Sequence, residues 1–293
     1  MALGLYHYQL LSDMLEKIHF IYDEKELSSV ILEALSRSLN TEAGTIFRIA
    51  EQGRIMPTAA YGASLDLLQA LDFSIGKGVV GWVAQYTQPV KVDNPQSDQR
   101  FMLLADAVTG FKTRSIIASP IMVKGKTVGV LEFINKKNGA FTIPDLELIS
   151  MVGRELGIAF ENVRLIGQLS ENNAYLKSIV GGLGAGLLVM DPDQNVVIFN
   201  ARARELLGAP EEAALGERPA AARVAEKSPE FLKLMLSTAR AGKLVPRGQL
   251  KALFNQKEMV LGYSATPAAG IPGKPGGMTF LFQDITVYAK KQA

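Results

Sequence analysis

Cysteine is absent from the 293-residue chain. Disulfides, thiol nucleophiles, zinc–cysteine centres, iron–sulfur clusters and any cofactor attached through a thioether are excluded on that ground. Histidine is almost as scarce: His7 and His19 are the two, both near the N-terminus. They stand 12 positions apart on one expected helix, about 18 Å by helical rise, so a single metal ion cannot use both. Charge of one sign is nearly balanced out, leaving a net charge of +2. That is too small to select nucleic acid or an anionic membrane as a partner. The longest run without a polar side chain, Ile179 to Met190, has 12 residues, four of them glycine, whereas a bilayer span takes about 20. The N-terminal stretch MALGLYHYQLLSDMLEK has no basic start and carries Asp13 and Glu16, unlike a secretory signal. The expected location is the cytoplasm.

What the chain does contain is ordinary globular material, 48% hydrophobic and 20% charged, at a length that suggests two domains. Leu11, Met14, Ile18 and Ile21 form one helical stripe over residues 5–22. A second helix is expected over Glu24–Leu39, with Leu27, Val30, Ile31 and Leu35 inward. The period then changes: AGTIFRIA (43–50) and RIMPTAAY (54–61) read as a hairpin joined at EQGR, and SIIASPIMV and TVGVLEFIN as another joined at KGK. A glycine-rich turn opens a helix at GKGVVGW, followed by a short strand and a polar loop (89–101). A long helix is expected from about Pro144, which suits a first turn, to Lys177. Its Ile149, Val152, Leu156, Ala159, Val163 and Ile166 are spaced as a heptad seam that Ser170 and Asn173 weaken. Beyond it lie a strand–turn–strand at GLLVMDPDQNVVIFN, a short helix capped by Asn200 and stopped by Gly208, a helix at 228–242 started by Ser228 and Pro229, and three further strands. The sequence therefore implies an α+β chain of two domains, each a central antiparallel sheet with flanking helices, joined by a long helix.

Those stretches resemble two known families. GKGVVGWVAQYTQPVKVDNPQSDQRF, SIIASPIMVKGKTVGVLEFINKKNGAFTIPDLELI and the long helix resemble a GAF domain. GLLVMDPDQNVVIFNARARELLG and the terminal FQDIT resemble a PAS domain. The boundaries expected are a dimerisation helix over 1–22, a GAF-like domain over 23–165, a connecting helix over 145–177, a PAS-like domain over 178–288 and the stub of an exit helix over 287–293. The resemblance implies helices on one face of each sheet, a pocket between them, and service as a sensory input of a dimeric signalling protein.

NKKNGAFTIPDLE is similar to the Asn-Lys…Phe-x-x-x-Asp-Glu pattern of cyclic-nucleotide-binding GAF domains. Asn135, Lys136, Phe141 and Asp145 match, but Leu146 stands where the pattern has Glu. An ion pair between Lys136 and Asp145 would pin the strand–helix corner without any ligand, and Asp145 suits a helix N-terminus. If the GAF pocket is occupied, the resemblance places Trp82, Asn94, Phe101, Thr113 and Ser115 near it; a cyclic nucleotide or another small ligand stays open. GKGVVGW lacks the spacing of a phosphate-binding P-loop. GGLGAG follows a helix and precedes a strand, the reverse of a dinucleotide fingerprint. In the PAS half the absence of histidine and cysteine excludes His-ligated haem and thioether chromophores. No Ser/His/Asp set stands in one domain, so no enzyme is expected.

The terminal DIT resembles the Asp-x-Thr motif that closes PAS domains, with Asp284 accepting hydrogen bonds and Thr286 capping the exit helix that would carry the signal. Seven residues follow Thr286. Two readings of this ending stand: the sensory part of a longer protein, or a self-contained regulator. The function expected is a non-catalytic sensory module that binds a small molecule in the GAF or PAS pocket. It would form a homodimer through helices 5–22 and 145–175 and pass the signal to an output domain or partner. The alternative is a ligand-free dimerisation and protein-docking platform.

Overall fold

The computed structural model describes residues 21, 23–193, 195–208, 228–254, 257–268 and 276–290. The helix expected over 5–22, with His7 and His19, lies outside them except for Ile21, which packs at the edge of a core. The chain divides into two compact units, Met1–Ser170 and Glu171–Ala293.

In the first unit the order is α1 (Glu24–Ser38), β1 (Thr41–Ile49), β2 (Arg54–Tyr61), α2 (Leu65–Gln69), β3 (Phe73–Ser74), α3 (Gly78–Tyr86), β4 (Val90–Val92), α4 (Leu103–Thr109), β5 (Ile116–Val123), β6 (Lys126–Lys136) and the start of α5 (Ile143–Gly182). The six strands form one antiparallel sheet, β3-β2-β1-β6-β5-β4. Strand alternation sends successive side chains to opposite faces, and both faces are covered. On one, Leu27, Ile31 and Leu35 of α1 and Ile149, Val152, Leu156 and Phe160 of α5 pack on Ile46, Leu131 and Phe133. On the other, Leu68 of α2 and Val79, Val80 and Val83 of α3 pack on Phe47, Ala118 and Val130. The expectation of helices on one face is thus corrected here: α2 and α4 are too short to show a helical period, and they cover the second face.

α5 runs for 40 residues, about 60 Å at 1.5 Å per residue, and extends past both expected ends. Its start is a reciprocal capping box: Thr142 N–H donates to Asp145 Oδ2 (2.7 Å) and Asp145 N–H to Thr142 Oγ1 (3.3 Å). The heptad seam divides. Ile149, Val152, Leu156 and Ala159 are buried in the unit's own core, so they are not free for a second chain. From Ile166 onward the apolar positions 166, 169, 176 and 179 are exposed. Close contact of α5 with β5 depends on Gly157, where a Cβ would sit 2.0 Å from the Met122 carbonyl oxygen.

The second unit contains β7 (Gly186–Met190), β8 (Val196–Phe199), α6 (Ala201–Leu207), α7 (Pro229–Ala241), β9 (Val245–Phe254), β10 (Lys257–Pro267), β11 (Met278–Asp284) and α8 (Thr286–Lys290). Its antiparallel sheet runs β8-β7-β11-β10-β9. Leu207 of α6 and Phe231 and Met235 of α7 close over Leu188, Phe254, Phe280 and Phe282, with the Phe231 and Phe282 ring centroids 4.8 Å apart. Asn200 caps α6 through Oδ1, which accepts from Ala203 N–H at 2.9 Å. Ser228 precedes α7 but does not cap it: its buried hydroxyl has no hydrogen-bond partner among the described residues.

Candidate functional site

The cavity of interest lies in the first unit, between the sheet and the α3–α4 layer. Gly76 and Gly78, both at positive φ (83° and 76°), turn the chain sharply from β3 into α3, a conformation glycine adopts without steric cost. This brings Gly78, Val79 and Val80 over β1 and β6. α4 ends at Gly110, and the return segment is held by Asp106, whose carboxylate accepts from both the backbone N–H (2.9 Å) and the hydroxyl of Thr113. The clasp sets Phe111 and Thr113 into the wall beside Phe101, Met102 and Ala105. Thr45, Phe47, Glu132 and Ile134 form the floor. The space open to water centres is about 70 Å³, enough for several waters or a small organic molecule.

Glu132 is the unexpected member. It sits mid-strand on β6, opposite Thr45 of β1 and Ala118 of β5, and shares a face with Val130 and Ile134. Deep in the domain, it keeps its accessible surface toward the cavity. Among the described residues no side chain hydrogen-bonds or ion-pairs with it. Several nearby cations are engaged elsewhere: Arg48 with Glu24, Lys91 with Asp93, Arg100 with Asp98, Arg114 with Glu42 and Lys136 with Asp145, while Lys112, between Phe111 and Thr113, is exposed and not part of the lining. Burial without a compensating charge pushes the Glu132 carboxyl from the usual 4.5 up to about 7. The cavity's lining residues include two carboxyl groups, Asp106 and Glu132, and no lysine, arginine or histidine. Among the described residues no group of three or more His, Cys, Asp or Glu side chains is placed to hold a metal ion.

Of the five residues that the sequence pointed to, Phe101 and Thr113 line this cavity. Trp82 lies beside it in the apolar layer, with the Arg100 guanidinium 4.6 Å above its ring and the Tyr86 ring centroid 5.1 Å away. Asn94 is exposed ahead of a single 3₁₀ turn, Pro95–Ser97. Ser115 offers its N–H to Asn135 Oδ1 at 3.4 Å and is not part of the wall.

The motif residues gather at a corner outside the cavity. Asn135, at φ 55°, accepts from Arg114 N–H (2.7 Å) through Oδ1 and donates through Nδ2 to Glu42 (2.7 Å) and to the Lys112 carbonyl (3.0 Å). Glu42 in turn pairs with Arg114 at 2.6 Å, and that hydrogen bond holds its carboxyl below the ordinary range against the cost of burial. Lys136 Nζ lies 2.6 Å from Asp145 Oδ2, and Phe141 is buried between strand and helix. This set fixes where β6 hands over to α5.

At the other end of the chain, Asp284, Ile285 and Thr286 clip onto β10. Ile285 N–H donates to the Val260 carbonyl (2.8 Å), and Val260 N–H donates to Thr286 Oγ1 (2.9 Å). Asp284 Oδ1 accepts from Thr286 N–H (2.9 Å) and from its hydroxyl. Burial raises the Asp284 carboxyl, but these bonds outweigh it and the net displacement is downward. Asn200 makes a corresponding tie at the entry. Its Nδ2 donates to the carbonyls of Val180, near the end of α5, and Ala185 (3.1 and 3.0 Å), while Oδ1 also accepts from Leu187 N–H (2.9 Å).

Residues 23–160 match the family model for the GAF domain, and residues 180–289 the model for the PAS fold. Over 97 residues the chain is 30% identical to "Probable 3',5'-cyclic phosphodiesterase pde-5" of Caenorhabditis elegans, covering 33% of this chain and 13% of that protein. Over 93 residues it is 36% identical to a dual 3',5'-cyclic-AMP and -GMP phosphodiesterase 11A of Takifugu rubripes, covering 31% and 10%. The chain thus spans only about a tenth of the length of these relatives. Among solved structures, the GAF domain of a phosphoenolpyruvate-protein phosphotransferase from Coxiella burnetii superimposes with a TM-score of 0.51 at 15% identity, over 55% of this chain and 96% of that one. That likeness concerns the fold. GAF and PAS domains are typically regulatory rather than catalytic, and together they fit a regulatory sensor module. Residues 23–160 are a GAF domain and residues 180–289 a domain of the PAS fold, in the order in which the sequence motifs occur.

Proposed function

We propose that the chain is a non-catalytic sensory module whose GAF cavity binds a small molecule and whose helix α5 relays the bound state toward the PAS domain and an output domain or partner. The observation that carries this is the cavity itself. It is bounded by aromatic and aliphatic side chains, and a carboxyl group with no partner among the described residues faces into it. A docking platform would need no such space and would gain stability by filling it. The relatives named as phosphodiesterases support a ligand-binding domain and not hydrolysis, since they match over their GAF regions. Trp82 and the Asn135–Lys136–Asp145 corner serve, in this reading, as framework rather than ligand contacts.

Dimerisation belongs to the same proposal. Ile166, Leu169, Leu176 and Ile179 are exposed on α5, and two chains in parallel would bury positions 166, 169, 173, 176 and 180 at heptad spacing, with Asn173 setting the register. Native mass spectrometry of the purified full chain tests the ligand reading. The expected result is a co-purified small molecule that is lost from Ala105→Phe, which fills the cavity. A wild-type chain of bare polypeptide mass favours the platform. Sedimentation showing a monomer at tens of micromolar rejects the pairing of α5.

A further inference from the structure

We propose that the GAF cavity takes a small organic cation, a primary amine on a compact hydrocarbon body, with its ammonium group seated on Glu132. The proposal rests on the sensor reading above and specifies its ligand. Three observations converge. The walls are apolar, with Phe47, Phe101 and Val79 among them, so they match a hydrocarbon body. Among the described residues, the acidic and basic groups that line the cavity are carboxyls alone, Glu132 and Asp106. An anionic ligand such as a nucleotide phosphate would meet two acids and no basic side chain, which is a desolvated like-charge arrangement. Asp106 is already occupied by Thr113, whereas Glu132 has no partner among the described residues. Of the cations on neighbouring elements, Arg48, Lys91, Arg100, Arg114 and Lys136 are each paired with another acid, and Arg54, Lys112 and Lys126 are not among the residues that line the cavity. A buried carboxyl without a partner is costly, and a ligand ammonium supplies what the fold withholds.

The chemistry predicts a proton linkage. Without ligand the Glu132 carboxyl holds its proton up to about pH 7, and an ammonium group stabilises the carboxylate. Binding therefore releases a proton below neutrality. Affinity for an amine strengthens about tenfold per pH unit well below neutrality, more gently on approaching it, and levels off above it.

Three probes with one carbon skeleton test this on the full chain: isopentylamine, isopentyl alcohol and isovalerate, followed by calorimetry from pH 6 to pH 8. The expected order at pH 8 is amine, then alcohol, then carboxylate. Amine affinity should rise about fivefold between pH 6 and pH 7, and proton release at pH 6.5 should show as a dependence on buffer ionisation heat. Glu132→Gln should weaken amine binding at pH 8 by about tenfold or more and abolish its pH dependence, with the alcohol unaffected. The wild-type proton release stands as evidence even if the variant folds poorly. Isovalerate binding as tightly as the amine, amine affinity unchanged by Glu132→Gln, or no binding of any probe at about 10 mM would overturn the assignment. A co-purified anionic or neutral molecule would overturn it too while leaving the sensor reading intact.

Discussion

Glu132 shows how much one side chain can cost a domain. Its carboxyl is raised in the folded state from 4.5 to about 7, so the folded chain binds a proton that the unfolded chain has already released. Stability of the GAF domain therefore falls as pH rises from roughly 4.5 to 7, and the full penalty applies above that range. A displacement of this size is worth about 3 kcal/mol. Glu132→Gln should accordingly leave stability near pH 4.5 unchanged and raise it by about 1–3 kcal/mol at pH 8, as read by urea unfolding at both pH values. A variant equally stable, relative to wild type, at both pH values would reject the uncompensated carboxyl. This residue was hidden in the sequence for a definite reason. In TVGVLEFIN a single Glu in an alternating strand reads as the solvent-facing side of a half-buried sheet. Only the cover supplied by α3 and α4 makes that face interior. Lys136 and Asp145 could be paired on paper because charge, strand end and helix start coincide within nine residues. The hub at Asn135 could not, because Glu42 and Lys112 reach it from remote positions.

Among the elements, α5 carries two opposite lessons about glycine. Gly157 lies against the Met122 carbonyl, where a Cβ would be 2.0 Å from the oxygen. Gly167, ten residues on, has no neighbour within 4 Å of the Cβ that an alanine would add. Gly157→Ala should therefore destabilise the chain by about 3 kcal/mol through forced separation of helix and sheet. Gly167→Ala should stabilise it by roughly 0.5–1 kcal/mol through helix propensity alone. Thermal or urea unfolding of the two variants side by side checks the sign of each. The periodicity of α5 was legible in the sequence, but which surface its seam faces was not. Residues 149–159 repeat like a coiled coil because a helix lying on a sheet also needs a stripe every three and four residues. Likewise α2 and α4, with 5 and 7 residues, give too few turns for a period, and the sequence pattern assigns those residues to no element.

At the scale of the molecule, the order of strands and helices was legible because hairpins, glycine turns and a capped long helix recur in the right sequence. The assembly of the site was not, because its floor and walls come from strands and helices brought together only by the sheet. Each unit has its own core, so scanning calorimetry of the full chain should resolve two transitions. Glu132→Gln should raise one of them at pH 8 and leave the other in place. Both transitions moving together would instead reveal energetic coupling through α5.

The carboxamide of Asn200 has a consequence of its own. Its oxygen serves α6 and β7, while its nitrogen holds the carbonyls of Val180 and Ala185. The two duties are therefore split between the two ends of one functional group. Slow deamidation to aspartate would spare the first duty and turn the second into oxygen facing oxygen. Chemical ageing at this atom would thus unfasten the incoming rod from a domain that otherwise stayed intact.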